Sequence, residues 1–178
     1  VLERIWSGWR AAYVGGEHST GQEPGSPFTQ LLRSGESDEA THIVHRGAHV
    51  FAIMNLFPYS TGHLLVVPYR EVPDLSDLDA DETTELWATV TDGVAAVRAA
   101  YSPQGLNVGL NLGRPAGGSI PSHLHAHVVP RWTGDSNFMS SVANTQTLPE
   151  ALDASAARIR AAWTSGTGSR KARATTRP

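Results

Sequence analysis

His123-Leu124-His125-Ala126-His127-Val128-Val129-Pro130 decides how this chain reads. Three of its eight histidines fall within five residues, at alternate positions of a run that is otherwise apolar. Side chains alternate faces along a strand, so His123, His125 and His127 share one face while Leu124, Ala126 and Val128 enter a core. Positions two apart stand roughly 6.6 Å from each other, and the outer pair roughly 13 Å. Zinc takes nitrogen ligands at about 2.0–2.1 Å, so two neighbours could share an ion, but a three-histidine cage would need a badly bent strand. The use that remains is nucleophilic and electrostatic: one neutral imidazole attacks an electrophile while its neighbours donate hydrogen bonds to charged oxygens around it. That suits chemistry at phosphorus. No motif calls for a metal held by the protein; a magnesium ion, if present, would come with a polyphosphate substrate.

Working outward, residues 106–112 alternate, with Leu106, Val108, Leu110 and Leu112 facing one way and Asn107, Gly109 and Asn111 the other. Between that strand and the histidines, Gly113 to Ser122 reads as a loop whose Gly117-Gly118 pair allows φ > 0 and a close approach of ligand to backbone N–H groups. Upstream, His49 to Leu56 and Leu64 to Pro68 read as two antiparallel strands joined by a turn-rich link through Pro58 and Gly62. Asp79 and Glu82 have capping-box spacing ahead of Leu86, Val90, Val94, Val97 and Tyr101, which recur at helical intervals. Thr147 and Glu150 can cap a second helix carrying Leu152, Ala156, Ile159 and Trp163 on one stripe. Residues 1–13 place Trp6, Trp9, Arg10 and Tyr13 at near-helical spacing, so 1–14 reads as an N-terminal arm. Residues 15–41, rich in Gly, Ser, Pro and acidic residues, read as a flexible loop. The fold class expected is α+β: an antiparallel sheet of about five strands with a long helix and a C-terminal helix, the domain running over 42–163.

The 178 residues, 40% of them hydrophobic, suffice for one core and one domain. No apolar run reaches the eighteen or so residues of a membrane span, and the start has no apolar signal-peptide centre, so a cytoplasmic enzyme with no membrane partner is the default expectation. The absence of cysteine excludes disulfides, Cys-ligated zinc and thiol catalysis. Arg170, Lys171, Arg173 and Arg177 are concentrated after residue 164, leaving ten basic against 17 acidic residues before it. The body is therefore no nucleic-acid surface, and 164–178 reads as a disordered basic tail.

His-x-His-x-His followed by two apolar residues and Pro, with a Gly-Gly-Ser loop before it, resembles the signature of the histidine-triad (HIT) superfamily. The block from Phe51 to Pro68, containing Asn55, Pro58, Gly62 and His63, resembles that family's upstream nucleotide-pocket half. With Leu2-Glu-Arg-Ile-Trp6, Asn111-Leu-Gly113, Gly117-Gly118-Ser119 and Pro130-Arg131-Trp132, the chain is most similar to the actinobacterial diadenosine tetraphosphate phosphorylases. The resemblance implies a HIT-like sheet and an enzyme in which His125 attacks the α-phosphorus of a nucleotide to form a nucleotidyl-histidine. A hydrogen bond from its other ring nitrogen to a backbone carbonyl near His123 fixes the tautomer, His127 assists the leaving group, and His123 supports the site. Ser119, with the N–H groups of Gly118 and Ser119, is a candidate to hold phosphate oxygens. Asn111 is a second candidate, or else a strand-end turn residue. Asn55 resembles the ribose contact, or simply ends a strand. Trp132 can stack on a second base or pack in the subunit interface of a homodimer. His63 reads as structural. Three functions follow from the resemblance: phosphorolysis of diadenosine tetraphosphate to ADP and ATP with inorganic phosphate as acceptor, hydrolysis of dinucleoside polyphosphates or nucleoside phosphoramidates, or nucleotide binding without catalysis.

Overall fold

The computed structural model describes residues 24–135 and 150–173. The expected arm over 1–14, the proposed cap at Thr147 and residues 174–178 lie outside the described residues. Five strands form one antiparallel sheet: β1 (Ile43–Arg46), β2 (Val50–Met54), β3 (Leu64–Pro68), β4 (Gly105–Leu110) and β5 (Ala126–Arg131), in the order β1-β2-β3-β5-β4. β1 is a strand that sequence patterning did not single out. Its pairing with β2 shifts register between Ile43 and His45, which breaks the alternation that would have revealed it.

The sheet has two differently covered faces. On one, Ala52, Leu64, Val66, Ala126 and Val128 pack against Leu86, Val90 and Val97 of α3 (Ala80–Tyr101) and Ile159 and Trp163 of α4 (Leu152–Arg173). The expected capping box is formed: the Asp79 side chain accepts from the Glu82 N–H, and the Glu82 carboxylate accepts from the Asp79 N–H. Gly93 lets α3 lie close on the sheet, since a Cβ there would stand 2.9 Å from Leu64 Cδ2. The boundary expected at residue 164 falls inside α4.

The other face is only half covered. Phe28 of α1 (Pro27–Arg33) joins Phe51, Ile53, Leu65 and Val67 in a second buried cluster. The described part of the expected flexible loop 15–41 therefore contains two short helices, α1 and α2 (Asp38–Thr41). Each is started by a serine whose side chain accepts a backbone N–H, Ser26 from Thr29 and Ser37 from Ala40. Helices of one or two turns are too short to show an apolar period, so composition alone suggested a loop. Strand boundaries also differ: β2 spans Val50–Met54 rather than 49–56, β4 spans Gly105–Leu110 rather than 106–112, and β5 begins only at Ala126, so His123 and His125 lie on the lead-in to the strand. Alternation holds there all the same, because the Leu124 N–H bonds to the Val72 carbonyl at 2.7 Å and its side chain is buried in the helix-side core.

Candidate active site

The triad stands on the half-covered face, at the margin between α1 and the uncovered part of β4 and β5. All three rings are buried, His123 completely and His125 and His127 at 7% and 9% exposure. The hydrogen-bond partners assign each ring nitrogen, because a carbonyl can only accept and a backbone N–H can only donate.

His125 Nδ1 lies 2.8 Å from the His123 carbonyl oxygen, so Nδ1 carries the proton and the Nε2 lone pair is free. Burial pushes its pKa down, against the opposing pull of the His123 carbonyl, which keeps the ring neutral and nucleophilic. His123 donates from Nε2 to the Pro68 carbonyl at 2.8 Å, and its Nδ1 receives the Ser26 hydroxyl at 2.6 Å. Ser26 is itself tied down: its N–H donates to Glu71 Oε2 at 2.8 Å, beside the Thr29 hydroxyl at 2.7 Å on the same oxygen. The Phe28 ring stands edge-on to His123 and tilted over His125, with centroids at 5.3 and 5.5 Å. His123 is thus a positioning residue, committed at both nitrogens and at its carbonyl.

His127 takes the opposite tautomer, and His63 is the reason. His63 Nδ1 accepts the Tyr59 N–H at 3.0 Å, so its proton is on Nε2, which donates to His127 Nδ1 at 3.0 Å. His127 must then carry its proton on Nε2, which has no partner among the described residues. Burial, reinforced by the neighbouring imidazoles, pushes His63 down to about 3 and His127 to about 4. The result is an uncommitted lone pair on His125 beside an uncommitted N–H on His127, with ring centroids 5.0 Å apart. That pairs a nucleophile with a donor for developing negative charge.

His63, read from sequence as structural, therefore sets the chemistry of the site. Tyr59, also unassigned by sequence, stacks parallel to His127 at 5.9 Å and tilts over His63 at 4.7 Å. The signal for His63 is register: Leu65 pairs with His127, so position 63 shares the triad's face. That pairing joins segments sixty residues apart and is invisible to local pattern. Nor could pattern find Ser26, Phe28 and Glu71, which converge only through tertiary contact. His42 and His45 likewise have their own partners, His42 with Asp153 at 2.6 Å and His45 stacked on Trp163 at 4.8 Å.

The substrate contacts expected from sequence divide. Asn111 lines an open cleft of about 430 Å³ with His127, Tyr59, Asn107, Gly109, Val129, Arg131 and Asp135. Ser119 is exposed, and neither its hydroxyl nor its N–H has a partner among the described residues. Gly118 departs from expectation, because its N–H is spent on the Gly113 carbonyl at 3.2 Å. It must be glycine for the loop itself, since a Cβ would meet the Gly113 and Asn111 carbonyl oxygens at 2.9 and 3.0 Å. Asn55 is also committed inward: Oδ1 accepts the Phe57 N–H at 3.0 Å and Nδ2 lies 3.2 Å from His63 Nδ1, so it braces His63 rather than presenting an open ribose contact. Trp132 stands edge-on to Tyr101 of α3 at 6.5 Å and is not among the residues that line this cleft. Among the described residues no cluster of three or more His, Asp or Glu side chains is placed to hold a metal ion, and no helix is long and apolar enough to cross a membrane.

The family model described as HIT domain matches residues 36–134, which hold His63 and the whole triad. The chain is 42% identical over 156 residues to the AP-4-A phosphorylase of Mycobacterium tuberculosis, covering 85% of this chain and 79% of that one. It is also similar to the asymmetrical bis(5'-nucleosyl)-tetraphosphatase of Schizosaccharomyces pombe, at 38% identity over 47% of this chain and 46% of that protein. Among solved structures, a Hit-like protein from Bartonella henselae superposes with a TM-score of 0.65 at 27% identity, covering 80% of this chain and 99% of the other.

Proposed function

The chain belongs to the HIT domain family, and on that premise we propose that it is a nucleotidyltransferase cleaving diadenosine tetraphosphate by phosphorolysis to ADP and ATP. The observation that carries this reading is the pair of opposed tautomers. The His125 Nε2 lone pair attacks the α-phosphorus, the P–N bond forms, the Pα–O–Pβ bridge breaks, and ATP departs. The His127 Nε2–H donates to the bridging oxygen as charge collects there. With a pKa near 4 that ring is neutral and supplies a hydrogen bond rather than a proton. An oligophosphate, which leaves as a weak base, needs no more. An oxygen of inorganic phosphate then attacks the adenylyl-histidine, the P–N bond breaks, and ADP is released with His125 restored.

Similarity to a phosphorylase over most of both chains favours phosphate as the acceptor. The same nucleophile would serve a hydrolase in which water takes that place, in keeping with the likeness to a tetraphosphatase. Asn111 and Ser119, with amide, hydroxyl and N–H uncommitted, are the residues we assign to phosphate oxygens. No protein-held metal enters this scheme; magnesium would arrive on the polyphosphate. We also keep a homodimer in the reading. β4 has no outer neighbour among the described residues, and Val108 and Leu112 beside that edge are 44% and 41% exposed.

The test is to incubate the protein with diadenosine tetraphosphate, with and without inorganic phosphate, and resolve the products. ADP and ATP formed only with phosphate establish phosphorolysis. AMP and ATP formed without it make the protein a hydrolase, and no turnover refutes both.

A further inference from the structure

β5 presents His127, Val129 and Arg131 on one face, and β4 sets Gly109, Asn107 and Gly105 directly opposite them. Gly109 has no side chain, so the cleft beside His127 is a trough floored there by backbone, with Val129 and Asn107 beyond. At Gly109 a Cβ would meet nothing within 4 Å, although this residue pairs with His127. The far end is closed by Arg131. Asp135 accepts from its Nε at 2.6 Å and from Nη2 at 2.9 Å, and Nη1 donates to Asn107 Oδ1 at 3.0 Å. That last bond draws the guanidinium back along the trough, because Asn107 sits two residue pairs closer to His127 than Arg131 does. Of the five N–H donors of a guanidinium these contacts use three, and the side chain remains 47% exposed.

We propose that this trough seats the oligophosphate of the leaving nucleotide, with Arg131 as the cation that holds its distal phosphates. The inference rests on the nucleotidyl-transfer reading above and adds what that reading lacks, a reason for preferring a long polyphosphate. His125 and His127 act at the α-phosphate and its bridging oxygen, and neither senses how many phosphates follow. His127 and Arg131 lie four residues apart on one strand, roughly 13 Å along its axis, and the backward lean of the guanidinium shortens that gap to what a chain of phosphates can span. Asp135 orients the planar fork, as a carboxylate does best for arginine, and Asn107 and Asn111 add uncharged donors along the way. The open floor at Gly109 gives the chain room directly beside the bond that breaks. The alternative, that the Arg131–Asp135 pair only fastens the turn after β5, gives Arg131 no effect on ligand length and Gly109 no effect at all.

Titration calorimetry separates these. The wild-type protein is titrated with AMP and with diadenosine tetraphosphate carrying methylenes in place of both Pα–O–Pβ bridge oxygens, which cannot be cleaved at either end. The tetraphosphate analogue is expected to bind at least tenfold tighter than AMP. In Arg131→Met that ratio falls, by roughly tenfold to a hundredfold for the loss of charge-assisted hydrogen bonds, and Arg131→Lys restores part of it. Gly109→Val, whose Cβ would have no neighbour within 4 Å, lowers the same ratio by filling the trough while melting within a few degrees of wild type. A ratio unmoved in both Arg131→Met and Gly109→Val overturns the proposal. An analogue that binds wild type no tighter than AMP overturns it while leaving the nucleotide reading in place, and a protein that binds neither ligand overturns both.

Discussion

Replacing His63 by Phe keeps a planar ring of similar size in a fully buried position and removes both of its nitrogens. Besides the 3.2 Å contact of the half-buried Asn55 amide, two shorter contacts go with them, Tyr59 N–H to Nδ1 at 3.0 Å and Nε2–H to His127 Nδ1 at 3.0 Å. Each leaves a shielded polar group unpaired, at about 1–3 kcal/mol. Taking about 2 kcal/mol for each, Tm should fall on the order of 10 °C for a chain of this size. The catalytic effect has a separate cause. Without His63 donating to Nδ1, nothing holds the His127 proton on Nε2, and the tautomer with its lone pair turned toward the leaving group becomes populated. Losing one donor aimed at developing charge costs roughly 10²–10³ in kcat, while KM should change little because the substrate's charge is not yet shifted. Nitrogen-15 correlation spectra of labelled protein report the tautomer directly: His127 protonated at Nε2 in the wild type, mixed in the variant. If the variant moves His127 to the other tautomer and kcat stays within a few-fold of wild type, the assignment of His127 as leaving-group donor is wrong. If kcat collapses while His127 stays protonated at Nε2, the role given to His63 is wrong.

Acid should destabilise the protein earlier than ordinary carboxylate titration would. The folded pKa values of His63 and His127 are depressed to about 3 and about 4, so their contribution is complete above the unfolded value of roughly 6.5 and is lost as pH falls toward those folded values. At pH 5 a ring shielded this way costs at most about 2 kcal/mol, and Tm measured from pH 7 to 5 should decline, less steeply in His63→Phe; a flat profile would contradict the buried neutral state. Phe28→Ala removes a ring that touches His123, His125 and Phe51 and should cost about 3–5 kcal/mol in a denaturant titration, with kcat reduced because His125 loses its support; unchanged kcat in the folded fraction would show that α1 only stabilises. Gly118→Ala forces a Cβ against two backbone carbonyls, so the loop bearing Ser119 must shift and KM for inorganic phosphate should rise several-fold, whereas an unaffected KM would place the acceptor elsewhere.

The sequence by itself determined those features whose cause is local. Alternation of histidine with apolar residues identified one face of β5 and its lead-in, the Asp79/Glu82 spacing identified the start of α3, and the triad with its upstream block identified the family. A capping box closes within four residues, and strand alternation follows from the backbone alone, so both are readable without knowing what lies opposite. The His125 tautomer, set by the His123 carbonyl two residues away, was already expected from the resemblance; only the tertiary structure decided the chemistry of His123, His63 and His127. A histidine tautomer depends on which groups stand at its two nitrogens, and here those groups come from Pro68, Ser26, Tyr59 and His63, brought in by the β3–β5 pairing and by α1. The same cause explains the substrate contacts that shifted. Asn55, Gly118 and Trp132 carry the right residue types, but packing commits the first to His63, the second to its own loop and the third to Tyr101. Polar capacity is a property of a residue, whereas its availability depends on which neighbours the fold has already given it.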